Sequence, residues 1–228
     1  TDLMTPRAAE REEFEPVVTE SLTDAILWFL TSCAVRIMRG QDEHMTMLVH
    51  TSPHVIQHRK MAAVIKEWIG LHRNSLEQGS GELFSRLTRN MASEFERVPP
   101  VPGNEAHEIR PSASEIASLI SQVLSKLEIV IENGETDQNL RLNYDENPRI
   151  YIVIGGAVLS RGLTLDGLCV SYFLRTSKQY DTLLQMGRWF GFRRGYDDLP
   201  RIWTTSDLAS KFRQLSEVEL QVREEMER

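Results

Sequence analysis

Apolar positions recur at helical spacing from Ser21 onward: Leu22, Ile26, Phe29, Leu30, Cys33 and Ile37 share one period, and Gly40 follows as a stop. The next apolar stretch, Met45 to Thr51 (MTMLVHT), has the character of a strand and ends in Ser-Pro. A second helix is predicted at about His54 to Leu71. Residues 74–111 break the rhythm, with Gly79 and Gly81, a helical stretch near Glu82 to Phe95, and then PPVPGNEAHEIRP; they read as a helical insertion plus a loop. Alternation then resumes with a helix at Ser114 to Lys126, a strand at Leu127 to Ile131, a turn at Asn133-Gly134 and a strand at Ile150 to Ile154. A strand at Leu168 to Leu174, a helix at Gln179 to Trp189, a strand at Arg201 to Thr204 and a closing helix from Ser206 complete the pattern. Residues 1–18 read as an irregular arm, which leaves 19–228 as the domain.

Several strands are continuous apolar runs (IYIVI, LCVSYFL) without alternation. A strand needs apolar residues on both sides only when both faces of its sheet are covered, as in parallel α/β sheets. The expected fold is therefore α/β, a doubly wound parallel sheet with a helical insertion. A length of 228 residues and a hydrophobic share of 41% are enough for a core of that size. The apolar run Ala25 to Met38 is interrupted by polar residues and reads as too short to cross a bilayer. Cys33 and Cys169 show neither a pairing motif nor zinc spacing, and the acidic N-terminus has no apolar signal region. Together these predict a reducing, cytoplasmic setting without a membrane. The first residue is Thr and the last stretch, Glu217 to Arg228, is a charged helical pattern, so an excised piece of a longer protein is expected.

Net charge is −7, which argues against a freestanding domain that grips nucleic acid by bulk positive charge. Its distribution changes the picture. Between Arg149 and Arg201 eight Arg/Lys face four Asp, a local balance of +4, while the remainder of the chain carries −11. That basic window also holds most of the candidate chemistry.

Ligands of an open parallel sheet sit beyond the carboxyl ends of its strands, and three such ends are distinctive. In MLVHTSP, Thr51 and Ser52 present hydroxyls before Pro53 opens a helix. In GGAVLSRGLTLDG (Gly155 to Gly167), glycines allow close backbone approach, and Ser160, Arg161 and Thr164 are candidates for a phosphodiester. In QMGRWFGFRRGY (Gln185 to Tyr196), Gln185 and Arg188 stand one turn apart, Gly191 breaks the helix, and Arg193 and Arg194 follow. A planar, permanently charged guanidinium suits the negative charge that spreads over a γ-phosphate in transfer.

These strings resemble a known set. SRGLTLDG is similar to motif V of superfamily 2 helicases, QMGRWFGFR resembles their motif VI, and HTS after a strand looks like motif IV. Order and spacing match the second RecA-like lobe (the P-loop NTPase type of fold), and the GRWFG-x-R-x-GY string resembles the Z-1 domain family, described as endonucleases and found with bacterial DNA-processing and defence genes. The resemblance spans roughly residues 20–210, with firm motifs in 150–200. It implies an arginine finger, in order of preference Arg193, Arg188 and Arg194, with Gln185 beside it. It also implies nucleotide contacts at Gly162, Thr164, Asp166 and Gly187, and a nucleic-acid backbone against Thr51, Ser52, Ser160 and Arg161. The implied partners are DNA, before RNA, and the first RecA-like lobe of the same parent chain. ATP and Mg²⁺ would be held mainly by that lobe. Two departures stand out: Thr164 replaces the usual Asp of motif V, and Arg188 and Arg193 are five apart where three is usual.

Absences sharpen the reading. No Gly-Lys pair occurs, so the chain has no Walker A phosphate loop, and hydrolysis by this piece alone is not expected. Asp42-Glu43-His44-Met45 spells a DExH-like box but precedes its strand, whereas a Walker B acid belongs at the carboxyl end. The lysines (60, 66, 126, 178 and 211) all lack the acid two residues upstream that the common metal-dependent nuclease core requires. No metal site is expected: His50, His54 and His58 recur every four residues, but a partly solvated helix face is the favoured reading. Gly155-Gly156 stands evenly between a tight strand exit and a nucleic-acid contact, Trp189 and Phe190 read as core aromatics, and Asp197-Asp198 as a solvated turn before Pro200. A degenerate RecA-like module that binds DNA or protein without turnover is the main rival to a motor, and a nuclease domain the third.

Overall fold

The first long helix, α1 (Glu20–Met38), is buried continuously from Ala25 to Arg36. A helix that is apolar on all sides has no stable place on a surface and must be enclosed. Its start is fixed by Thr19, whose Oγ1 accepts from Leu22 N at 3.3 Å, and its end by Gly40, which reverses the chain at φ 73°. The computed structural model describes residues 13–52, 54–132, 142, 144, 147–155, 165–174 and 195–226.

After α1 come β1 (Met45–His50), α2 (Val55–Glu77), α3 (Gly81–Arg97), the short α4 (Glu105–Glu108), α5 (Ala113–Ser125), β2 (Leu127–Glu132), β3 (Ile150–Gly155), β4 (Leu168–Phe173), β5 (Arg201–Thr204) and α6 (Ser206–Met226). The five strands form one sheet in the order β2-β3-β1-β4-β5, and every pairing is parallel. Strand β1 is central, in register with β3 from Met45↔Ile150 to Val49↔Ile154. Its pairing with β4 carries an irregularity between Thr46 and Met47.

Alternate residues of the sheet serve two separate cores. Met47, Val49, Ile152, Ile154, Val170 and Tyr172 belong to the larger one with residues of α1, α2, α3 and α5. Leu48, Tyr151, Val153 and Phe173 belong to the other, closed by Leu208, Phe212 and Leu215 of α6. With helices on both faces and all strands parallel, the doubly wound α/β fold expected from the apolar runs is present. The expected elements agree closely, except that α2 runs on to Glu77. Gly70 lies inside it, and a side chain there would meet nothing within 4 Å. The predicted turn at 133–134 and helix at 179–189 fall outside the described residues.

Two features go beyond what the pattern of positions predicts. The segment at 74–111 contributes Phe84, Leu87, Met91 and Phe95 of α3 to the main core, where Phe95 meets Trp28 edge-on with ring centroids 5.5 Å apart. Helix α1 also has the length and mean hydropathy (1.3) of a membrane span, yet 78% of that window is buried inside the protein. Its apolar character is used against neighbouring helices and the sheet. Helix α5 is fixed by a capping box between Ser112 and Glu115. The hydrogen bonds from the Ser112 side chain and backbone hold the Glu115 carboxyl below its ordinary range.

If α3 is integral to the core, Phe95→Ala removes a ring from the face of Trp28 and costs about 3–5 kcal/mol in urea unfolding. A cost under about 1 kcal/mol, or a separate early transition for α3, would show the segment to be a satellite.

Candidate functional site

The carboxyl edge of the sheet is laced together by the last residue of β1. His50 is fully buried. Its Nδ1 lies 2.7 Å from Gly155 O at the end of β3, and its ring stacks on Phe173 at the end of β4, 5.0 Å between centroids and 5° from parallel. A carbonyl oxygen only accepts, so Nδ1 carries the proton and donates. The backbone continues the lacing, with Leu174 N donating to His50 O at 3.0 Å. Three adjacent strands therefore end at one fixed level.

Just beyond lie Thr51 and Ser52. Thr51 is half-buried. Ser52 is 2% exposed; its Oγ accepts from His54 N at 3.2 Å and its carbonyl accepts from His58 Nε2 at 2.8 Å. The hydroxyl thus organises the entry into α2. His58 is 2% exposed, so the solvated face expected for His54 and His58 is not found at the second of them; the carbonyl of Ser52 supplies the partner that makes its burial possible. Among the described residues, no three His, Cys, Asp or Glu side chains are grouped as a metal ion requires.

The opposite, amino edge holds the other described candidate. Asp166 is exposed, and its carbonyl accepts from Thr46 Oγ1 at 2.6 Å, beside the start of β1 and just before β4. With five residue steps along β1 from Thr46 to Thr51, the two edges stand about 17 Å apart. The structure does not bring Asp166 together with Thr51 and Ser52, because a segment linking parallel strands must travel back along the sheet before the next strand begins. Gly195 and Tyr196, the described residues of the string at 185–196, also lie at the amino edge beside the end of α1. Of the three motif segments, the structure therefore describes Thr51 and Ser52 at the carboxyl edge and the last residues of the other two at the amino edge. Arg188, Arg193, Arg194, Gln185, Gly187, Gly162, Thr164, Ser160 and Arg161 lie outside the described residues, as do Trp189, Phe190 and Gly156. Asp42, Glu43 and His44 precede β1 at this same edge, the wrong end for a Walker B acid.

Two arginines of the α1 end hold the amino edge, and neither was singled out from the sequence. Arg36 is fully buried. Its Nη1 donates to His44 O at 3.1 Å and Gly167 O at 3.4 Å, and its Nε to Gln41 Oε1 at 2.9 Å. Its guanidinium carbon sits 4.0 Å above the ring of Tyr196. Arg39 clasps Asp198 with two hydrogen bonds, 2.6 and 2.8 Å, both side chains 2% exposed. It also donates to Gly195 O at 3.2 Å. The solvated turn expected at Asp197-Asp198 is corrected for Asp198: two arginine donors compensate its desolvation. Asp197 is exposed but paired, 3.0 Å from His107 Nε2. The signal available in the sequence was a charged residue inside an apolar helical stretch (SCAVRIM).

Both cysteines are reduced and buried. Burial first, and the neighbouring Cys169 second, push the Cys33 thiol well above its ordinary range. A groove of ≈ 710 Å³ flanks α3 and Trp203; its Arg86 is paired with Asp24 at 2.8 Å and its Arg89 with Glu82 at 2.8 Å.

Gly167 is confined by its surroundings. At φ +64°, a Cβ there would lie 1.7 Å from His44 O. Gly40 has φ +73° and open space around it. Gly167→Ala is therefore expected to cost roughly 3 kcal/mol or more in urea unfolding, and Gly40→Ala about 1–2 kcal/mol. Equal costs would refute the close approach of the two backbones.

No curated protein matches this chain, and no solved structure does. One family model matches, described as the Z1 domain, over residues 21–228. That span takes in every described helix and strand apart from the first residue of α1, and the chain belongs to the Z1 domain family.

Proposed function

We propose that this chain is the second RecA-like lobe of a superfamily 2 helicase-type, nucleic-acid-dependent ATPase, working in a DNA-processing or defence protein. The observation that carries the reading is the separation of the described candidates, Thr51 and Ser52 from Asp166, between the two edges of the sheet. Thr51 and Ser52, the candidates for a nucleic-acid backbone, stand at the carboxyl edge. Asp166, a candidate for the nucleotide, shares the amino edge with Gly195, the residue that follows Arg193 and Arg194 in the chain. A motor has to touch fuel and track at two places, and this separation supports the reading.

In this reading a guanidinium, Arg193 before Arg188 and Arg194, reaches the γ-phosphate of an ATP held with Mg²⁺ mainly by the first lobe, with Gln185 and Gly187 near it. Gly162, Thr164 and Asp166 line the nucleotide side. Ser160 and Arg161 join Thr51 and Ser52 on the DNA side, where Thr51 is the more accessible hydroxyl. The arginine neutralises charge as the phosphoryl group transfers, and closing and opening of the two lobes moves the DNA. A binding module without turnover is the second reading. Ser52 favours it, since its buried hydroxyl is already engaged at the start of α2, as does Thr164 in the place of the usual Asp.

DNA-stimulated ATP hydrolysis by the intact parent protein separates the two. Arg193→Ala or Arg188→Ala is expected to lower turnover by on the order of 10³-fold while nucleotide binding persists. Unchanged turnover in both variants would sink the arginine-finger role and leave the binding module.

A further inference from the structure

We infer that Arg36 is a positioning residue: from the end of α1 it holds the segment that ends at Gly167 and the segment that begins at Gly195 in one register, with Arg39 securing the second. The inference rests on the motor reading for its catalytic consequence, and on geometry alone for the clamp.

The two segments come from distant parts of the chain and meet on one guanidinium. Arg36 reaches Gly167 O at 3.4 Å across 131 positions of sequence and lies 4.0 Å over the Tyr196 ring on its open face. Its remaining donors are fixed by the turn that leads into β1: Gln41 Oε1 at 2.9 Å, His44 O at 3.1 Å and Glu43 Oε2 at 3.3 Å. Behind it, Arg39 binds Gly195 O at 3.2 Å and Asp198 at 2.6 and 2.8 Å. Gly167 directly follows Asp166, and Gly195 directly follows Arg194. The clamp therefore fixes the roots of both segments that would face the nucleotide.

Only arginine meets these demands together. Its donors radiate in a plane toward the carbonyls, while its face remains free for an aromatic ring; lysine has one compact ammonium and no face. A buried cation is costly to desolvate, and an apolar residue of similar volume often supports the fold as well. What Arg36 adds is the relative placement of the two backbones. A misplacement of about 1 Å is enough to slow chemistry roughly 10²-fold without any direct contact.

The test uses the intact parent protein and its Arg36→Lys variant, with hydrogen exchange and steady-state ATP hydrolysis as readouts. Exchange is expected to rise together in peptides covering 165–174 and 195–204 while the rest of the domain keeps its protection. In the same variant kcat falls roughly 10- to 100-fold with KM for ATP nearly unchanged. If exchange is unaltered in either segment, the clamp is overturned. If exchange rises in both but kcat of the folded variant is unchanged, the positioning role is overturned while the motor reading survives. A parent protein with no ATP hydrolysis overturns the motor reading and with it the positioning role, and the exchange data still decide the clamp. Should Arg36→Lys fail to fold, Arg39→Met combined with Asp198→Leu replaces the second tie by apolar volume. It is expected to fold, to loosen 195–204 alone and to lower kcat; a folded double variant with wild-type exchange and turnover overturns the proposal.

Discussion

The structure is organised by a helix that has no face to give to water. Nine of the twelve positions from Ala25 to Arg36 are apolar, and all twelve are buried. Each large side chain among them contributes roughly 1.5–3 kcal/mol when enclosed, so the chain gains most by surrounding this helix completely. The sheet supplies one wall and α3 and α5 the others, while Trp28 Nε1 donates to Leu199 O at 2.9 Å to close the side next to β5. Phe95 packs edge-on against that same indole, and the guanidinium of Arg201 lies over it. This is why α3, which interrupts the α/β alternation, is nevertheless part of the core.

Enclosure also explains the amino edge. A helix running antiparallel to the strands delivers its last turn to the edge where the strands begin. Arg36 and Arg39 are then pointed at backbone that is arriving from the far side of the sheet. At the carboxyl edge the corresponding work is done by His50, through one hydrogen bond and one stacked ring. The two edges are thus fixed by different chemistry, cationic at one and by imidazole at the other. Each fixes the root of a segment bearing candidate functional residues.

The elements were legible in the sequence because their signals are local. Continuous apolar runs identified β3 and β4, helical periodicity identified α1, and Gly40 marked its end. What escaped was whatever depends on partners remote in the chain. Asp198 looks like a surface turn residue until Arg39 is placed beside it, and nothing within a short window announces that pair. His58 looked half-solvated because its acceptor is a main-chain carbonyl, which has no sequence signature. The motif strings were recognisable, but the distance between Asp166 and the pair Thr51 and Ser52 was not, because a string shows which strand it follows and not at which edge its last residue stands.

The closure of α1 by Leu199 has a consequence for biosynthesis. The bond from Trp28 spans 171 positions, and ribosomes add about 5–20 residues per second. The side of this helix next to β5 is therefore closed roughly 10–30 s after Trp28 is made, later than the sides covered by α3 and α5. Until then that side stays open on a helix that has the length and composition of a membrane segment. The order of synthesis thus leaves the Trp28 side of α1 as the last to close.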